Sequence, residues 1–183
     1  FLGELKCLNE ISEHIFKIKL FKESFENKER PREFSFFFTP TTKNYHDFIH
    51  LLDKMISDNL NQKFFKGKIQ LHELKEEDGI YIKEHKGTLR LLEEWLTEIF
   101  NIQGDGSISD VIKPFKQVRT ARQSPAHKVN ENKYDISLIE KQRETMNDVY
   151  NSMRQLRHIF SLHPKAKDYE IPDWLENEKI LNL

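Results

Sequence analysis

A mainly α-helical fold is predicted: four or five helices in a bundle, with a small N-terminal α/β or β-hairpin segment. Three observations carry this. Apolar residues recur at three- and four-residue steps over residues 43–60, 88–100, 114–123 and 137–160. Patterns of β type are confined to the first forty residues. The helical segments follow one another through modest loops, as neighbours in a bundle do.

Length and charge bound the rest. At 183 residues the chain holds one cored domain, or one domain with a small appendage. It opens on Phe1 rather than Met, so a piece of a longer protein is expected, with residues 1–40 the tail of a preceding domain or a β segment, residues 41–164 the bundle and residues 165–183 a tail. Charged residues make up 32 % of the chain but sum to −1, which excludes a bulk-basic nucleic-acid binder and makes any polyanion site local. Cys7 is the lone cysteine, so neither an internal disulfide nor a cysteine-based zinc site is available. No apolar run approaches the ~20 residues of a membrane span. No membrane partner and a cytoplasmic setting are therefore expected.

Along the chain, Leu2 to Ile11 has the spacing of a short helix, while residues 15–21 (IFKIKLF) and 34–38 (FSFFF) read as strands flanking a charged turn. In residues 43–60 the stripe is Tyr45, Phe48, Ile49, Leu52, Met55, Ile56 and Leu60. Residues 64–81 are ambiguous apart from a turn at Asp78-Gly79. The next helix buries Leu89, Leu92, Trp95, Leu96 and Phe100, and residues 103–107 form a loop without the lysine of a P-loop. Pro114 suits the first turn of a helix that stops before Pro125. Ser137 and Glu140 have capping-box spacing at the start of the last long helix, which His163-Pro164 ends, and Trp174 and Leu175 are the residues through which the tail docks. Basic residues outnumber acids five to one over 110–130 and six to two over 141–167, whereas 72–100 has eight acids against four bases.

The chemistry concentrates at Arg122-Gln123-Ser124-Pro125-Ala126-His127. On an unbroken helix, residues five apart point about 140° from each other with about 7.5 Å of rise. Pro125 breaks the helix between them, so an arginine on its end and a histidine past the break can face one pocket. Such a pair suits phosphodiester chemistry: imidazole moves protons near neutral pH, and guanidinium stabilises charge on a phosphorane-like transition state. A solvated arginine and a loop histidine around a proline are the plain structural alternative. Arg119 lies one turn before Arg122 as a second phosphate contact or a surface arginine. Lys128 adds local charge, and Tyr134 is either a base-stacking ring or a buried loop anchor.

The motif and its position before the last long helix resemble the HEPN family, whose pattern is Arg-x4–6-His in a four- or five-helix bundle. That resemblance implies metal-independent RNA cleavage by the substrate's own 2′-OH, needing no cofactor, at a site shared by two subunits of a homodimer. By the same resemblance, Arg122 binds the scissile phosphate, His127 is general acid or base, and Gln123 orients one of them. The family most often has Asn, His or Asp where Gln123 stands. The resemblance also implies a bacterial defence or toxin component, with an antitoxin or a sensor domain as partner. The alternative is a non-catalytic module of the same fold that binds RNA, nucleotide or a protein, and a third reading is a plain helical dimerisation domain.

Two further patterns compete. Arg157 and His163 repeat the Arg-x4–6-His spacing, but at the end of the last helix, where cationic residues are favoured by the helix dipole; Arg157 and His158 remain candidates to line an RNA groove. His46 and His50 have an i, i+4 metal-chelating spacing with Asp53 as a third ligand. They are read as a solvated face opposite the apolar stripe, and no metal is assigned.

Overall fold

The computed structural model describes residues 1–25, 39–77, 79–100, 107–123 and 132–177. It is mainly helical: α1 (Leu2–Phe16), α2 (Thr42–Asp53), α3 (Gln62–Phe65), α4 (Thr88–Ile99), α5 (Ile108–Gln123), α6 (Ser137–Ser161) and α7 (Asp173–Glu176). A two-stranded antiparallel hairpin, β1 (His72–Glu77) and β2 (Ile80–His85), stands between α3 and α4. No helix among the described residues is long and apolar enough to cross a membrane.

Helix α1 belongs to the core of the bundle. Leu5, Leu8 and Ile11 are fully buried on one stripe, and the helix packs along α6. The strand expected over residues 15–21 is not formed. Ile15 and Phe16 continue the helical period, and Lys17, at φ 60°, ends α1 in the left-handed region with its N–H on the Glu13 carbonyl. Leu20 and Phe21 are both buried, so the apparent alternation does not separate two faces. The Asn9 amide serves Phe21, donating to its carbonyl at 3.1 Å and accepting from its N–H at 2.7 Å, while Phe21 forms an isolated antiparallel bridge with Leu60. The strand expected over 34–38 lies outside the described residues, as does most of the 103–107 loop.

Thr41 caps α2, accepting the Asn44 N–H at 3.3 Å. The helix then widens into a π turn, Lys54–Asp58. The ambiguous residues resolve into α3, which buries Phe64 and Phe65, and the hairpin, whose turn uses Gly79 at φ +78°. Trp95 of α4 meets Phe64, Phe16 and Phe160 edge-on or tilted, with centroids 4.8–5.6 Å apart, and so joins α4 to α1, α3 and α6.

Two helix starts differ from the sequence expectation. Helix α5 begins at Ile108, so Pro114 sits inside it rather than in its first turn. Its buried neighbours Val111, Ile112, Phe115 and Val118 hold the helix through the missing N–H. At α6, Ser137 is the first helical residue and not its cap: Asp135 Oδ1 accepts both the Ser137 N–H at 3.0 Å and its hydroxyl at 2.7 Å. The expected end of α6 holds. His163 instead caps the following 3-10 turn, Pro164–Ala166, accepting the Lys165 N–H. The tail docks as its aromatic and leucine suggested, with Leu175 buried and the Trp174 ring so close to Gly3 that a β-carbon there would collide with it. The tail and α1 therefore share one hydrophobic cluster with α2 to α6.

Candidate functional site: an arginine–aspartate cluster at the end of helix α5

Arg119 and Arg122 are three apart on α5 and face the same way. Opposite them stand Asp53 and Asp58, five apart, the last residues of α2 and of the π turn. In a regular helix these carboxylates would diverge by about 140°. A π turn closes over i and i+5, which returns Asp58 to the side of Asp53. The result is a four-residue cluster. Arg122 Nη1 lies 2.5 Å from Asp53 Oδ2 and 2.7 Å from Asp58 Oδ2. Arg119 Nη1 lies 2.8 Å from Asp53 Oδ2 and 2.9 Å from Asp58 Oδ1.

The two carboxylates differ in setting. Asp53 is fully buried, its Oδ1 without a partner among the described residues, so its charge depends on the two guanidiniums. Asp58 is 43 % exposed. Partial burial opposes its ionisation, but hydrogen bonds from Arg122 and Arg119 outweigh that and hold its carboxyl below the ordinary aspartate value. Both arginines are held above theirs. For Arg122 the hydrogen bonds from its own N–H groups to the aspartates dominate, and for Arg119 they prevail over partial desolvation.

Arg122 reaches the surface with 26 % of its side chain exposed, and Gln123 beside it is exposed. His127 and Lys128 lie outside the described residues. The chain beyond them is fastened to the start of α2. Thr42 donates its N–H to the Lys133 carbonyl at 3.0 Å, Asp135 to the Pro40 carbonyl at 2.9 Å, and Lys43 to Asn132 Oδ1 at 3.1 Å. Tyr134 takes part through its backbone, in a bridge with Thr41, while its ring is 66 % exposed. The buried-anchor reading of Tyr134 thus fails for the ring.

A groove of about 270 Å³ opens between α2, α5 and α6. It is lined by Tyr45, Ile49, Pro114, Val118, Ala121 and Lys141, among others. Ala121 immediately precedes Arg122, and the Lys141 ammonium sits 5.0 Å from the Tyr45 ring centroid.

The electropositive surface expected along α5 and α6 is partly neutralised by ion pairs, most of them with acids on other elements. Besides the cluster, Lys116 binds Glu93 at 2.6 Å, Arg143 binds Glu140 at 3.3 Å, and Arg157 binds Glu4. Arg157 is enclosed, with 6 % of its side chain exposed against a fully buried Glu4, so its role is a packed ion pair and not a helix-end cation. His163 packs its ring against Phe16 at 5.4 Å. The metal reading of α2 loses its third ligand: His46 and His50 are exposed, while Asp53 lies on the buried side in the grip of two arginines. Among the described residues no group of three or more metal-ligating side chains converges.

Asp58 and Glu4 escaped sequence reasoning, and Asp53 was placed on the wrong face. A signal existed for two of them. Asp53 follows Tyr45 and Ile49 at four-residue steps, and Glu4 precedes Leu8 in the same way, so each is a carboxylate at a buried helical position that requires a cation. Nothing in the sequence marks the π turn that recruits Asp58. Compared with protein-family models, with curated proteins and with solved structures, the chain shows no match to any.

Proposed function

We propose that this protein is a metal-independent endoribonuclease of the HEPN type, with Arg122 binding the scissile phosphate and His127 transferring protons. The observation that carries the reading is the mounting of Arg122. A fully buried aspartate fixes its Nη1 at the last turn of α5, five residues before His127, while part of the side chain stays exposed. Among the described residues its hydrogen bonds to carboxylates all use Nη1, so the guanidinium keeps Nη2 and Nε for a phosphate. Gln123 is exposed beside it to orient either reacting group, and Lys128 adds charge for the RNA backbone. The groove before Arg122, with Tyr45 and Lys141, suits a nucleotide flanking the cut, and the exposed Tyr134 ring offers a second stacking surface. One Arg–His pair supplies a single proton-transfer group, so two copies across a two-fold axis complete the acid and the base.

A second reading, a non-catalytic module that binds RNA, nucleotide or protein, is favoured by one feature. Arg119 and Arg122 face two aspartates, which leaves the cluster without net charge. The two readings separate when the purified chain is incubated with RNA in EDTA. Cleavage that disappears in His127→Ala, with fold and dimer retained, supports the nuclease; acid–base catalysis is worth about 10²–10⁴-fold. Tight binding without cleavage supports the module. Arg122→Lys is expected to recover little activity, since a point charge cannot reproduce the planar fork.

A further inference from the structure

A second site with its own chemistry lies on the hairpin. His72 opens β1 and His85 closes β2, and the register sets them directly opposite each other at the open end of the ribbon. Directly paired residues project from one face. Their rings are 4.8 Å apart between centroids and inclined by 68°. Two imidazoles bound through nitrogen to one ion, with metal–nitrogen bonds of about 2.0–2.1 Å at angles between square and tetrahedral, hold their centroids about 4.5–5.2 Å apart.

The tautomer of one ring is fixed as well. His85 Nδ1 lies 2.9 Å from the Lys86 carbonyl oxygen. A carbonyl only accepts, so Nδ1 carries the hydrogen and Nε2 presents its lone pair. A backbone carbonyl that holds the far nitrogen of a ring in this way is the usual support of a metal-binding histidine. Lys83, opposite Leu74 on the same face, is the cation that opposes a bound metal. The rival pair, His46 and His50 on α2, has no such carbonyl on either ring among the described residues.

We infer that His72 and His85 chelate a divalent transition ion that prefers imidazole, Cu²⁺ most tightly and Ni²⁺ or Zn²⁺ less so, with water completing the coordination. The ion clips the two strands where they leave the helical body. A two-stranded ribbon is marginally stable alone, and an ion bound only by the paired strands stabilises that pairing. This site is independent of the RNA reading, whose activity is measured in EDTA.

Ni²⁺ titrated calorimetrically into the full chain carrying His46→Gln and His50→Gln is the test. One equivalent is expected to bind, and either His72→Gln or His85→Gln is expected to weaken binding at least tenfold. Unchanged affinity after both substitutions overturns the site. In the unaltered protein, one equivalent of Zn²⁺ should shift the ring resonances of His72 and His85 together and slow amide exchange along the hairpin. A shift of neither ring, or of only one, also overturns it.

Discussion

Arg122 and Arg157 each begin an Arg-x4–6-His spacing, and each is held by a carboxylate from far along the chain, yet they end in opposite circumstances. Arg157 meets Glu4 where α6 packs on α1, and both side chains are enclosed. Arg122 meets Asp53 and Asp58 at the end of α5, where one carboxylate is buried and the other lies at the surface. The enclosed pair keeps only 6 % of the Arg157 side chain and none of the Glu4 side chain exposed. The second cluster has one buried counter-ion and one exposed counter-ion. A shared Arg-x4–6-His pattern therefore says little until the surroundings of each arginine are known.

Breaking the enclosed pair should have the largest effect. Arg157→Ala leaves Glu4 buried without its ion-pair partner, and Oε1 already has no hydrogen-bond partner among the described residues. A loss of about 3–5 kcal/mol is expected, read from the midpoint of denaturant unfolding. Combining Arg157→Met with Glu4→Leu should recover most of that loss, because a packed apolar pair leaves no buried group unsatisfied. If Arg157→Ala instead abolished RNA cleavage at unchanged stability, the roles assigned to the two arginines would be reversed.

Asp53→Asn comes next. It removes the buried charge on which both arginines converge, but they can turn toward water and keep Asp58, so about 1–2 kcal/mol of stability should go. Cleavage should fall far more than stability does, because Arg122 loses its fixed position. Equal, small losses in both would make the cluster a structural clasp.

Asp58→Asn sharpens the contrast in the other direction. Removing the exposed counter-ion leaves the arginine pair with net positive charge, so RNA binding should tighten several-fold at low salt and lose that gain at high salt. The same variant reports on acid stability. Asp58 has a folded-state pKa below its unfolded value of about 3.9. Its contribution is therefore present above that value and is lost as the pH falls through the lower folded one. Stability at pH 7 should drop slightly in Asp58→Asn, and the acid limb of the stability profile should become shallower. The smallest effect belongs to Tyr134→Ala: stability within about 0.5 kcal/mol of the parent, as for an exposed ring, with RNA affinity down about fivefold or more if the ring stacks on a base.

The sequence by itself determined the helical class, the spans of α2, α4 and α6 to within a few residues, the turn at Gly79 and the docking of the tail. These features rest on local physics: the period of the apolar residues and the φ of glycine. It also singled out Arg122. What it misread was non-local. The alternation over residues 15–21 imitated a strand because it begins in the last turn of one helix and continues into a segment held by an isolated bridge to Leu60 and by the Asn9 side chain. Pro114 and Ser137 match end signals that the neighbouring packing and Asp135 override. The charge excess along α5 and α6 was real in the sequence, but its neutralisation came from Glu4, Asp53, Asp58 and Glu93 on other elements. Which arginine is sealed and which is presented depends on where the π turn returns Asp58 and on α1 covering α6. Only tertiary structure decides this, because the energy of a charge is set by the groups and the water around it and not by its neighbours in the chain.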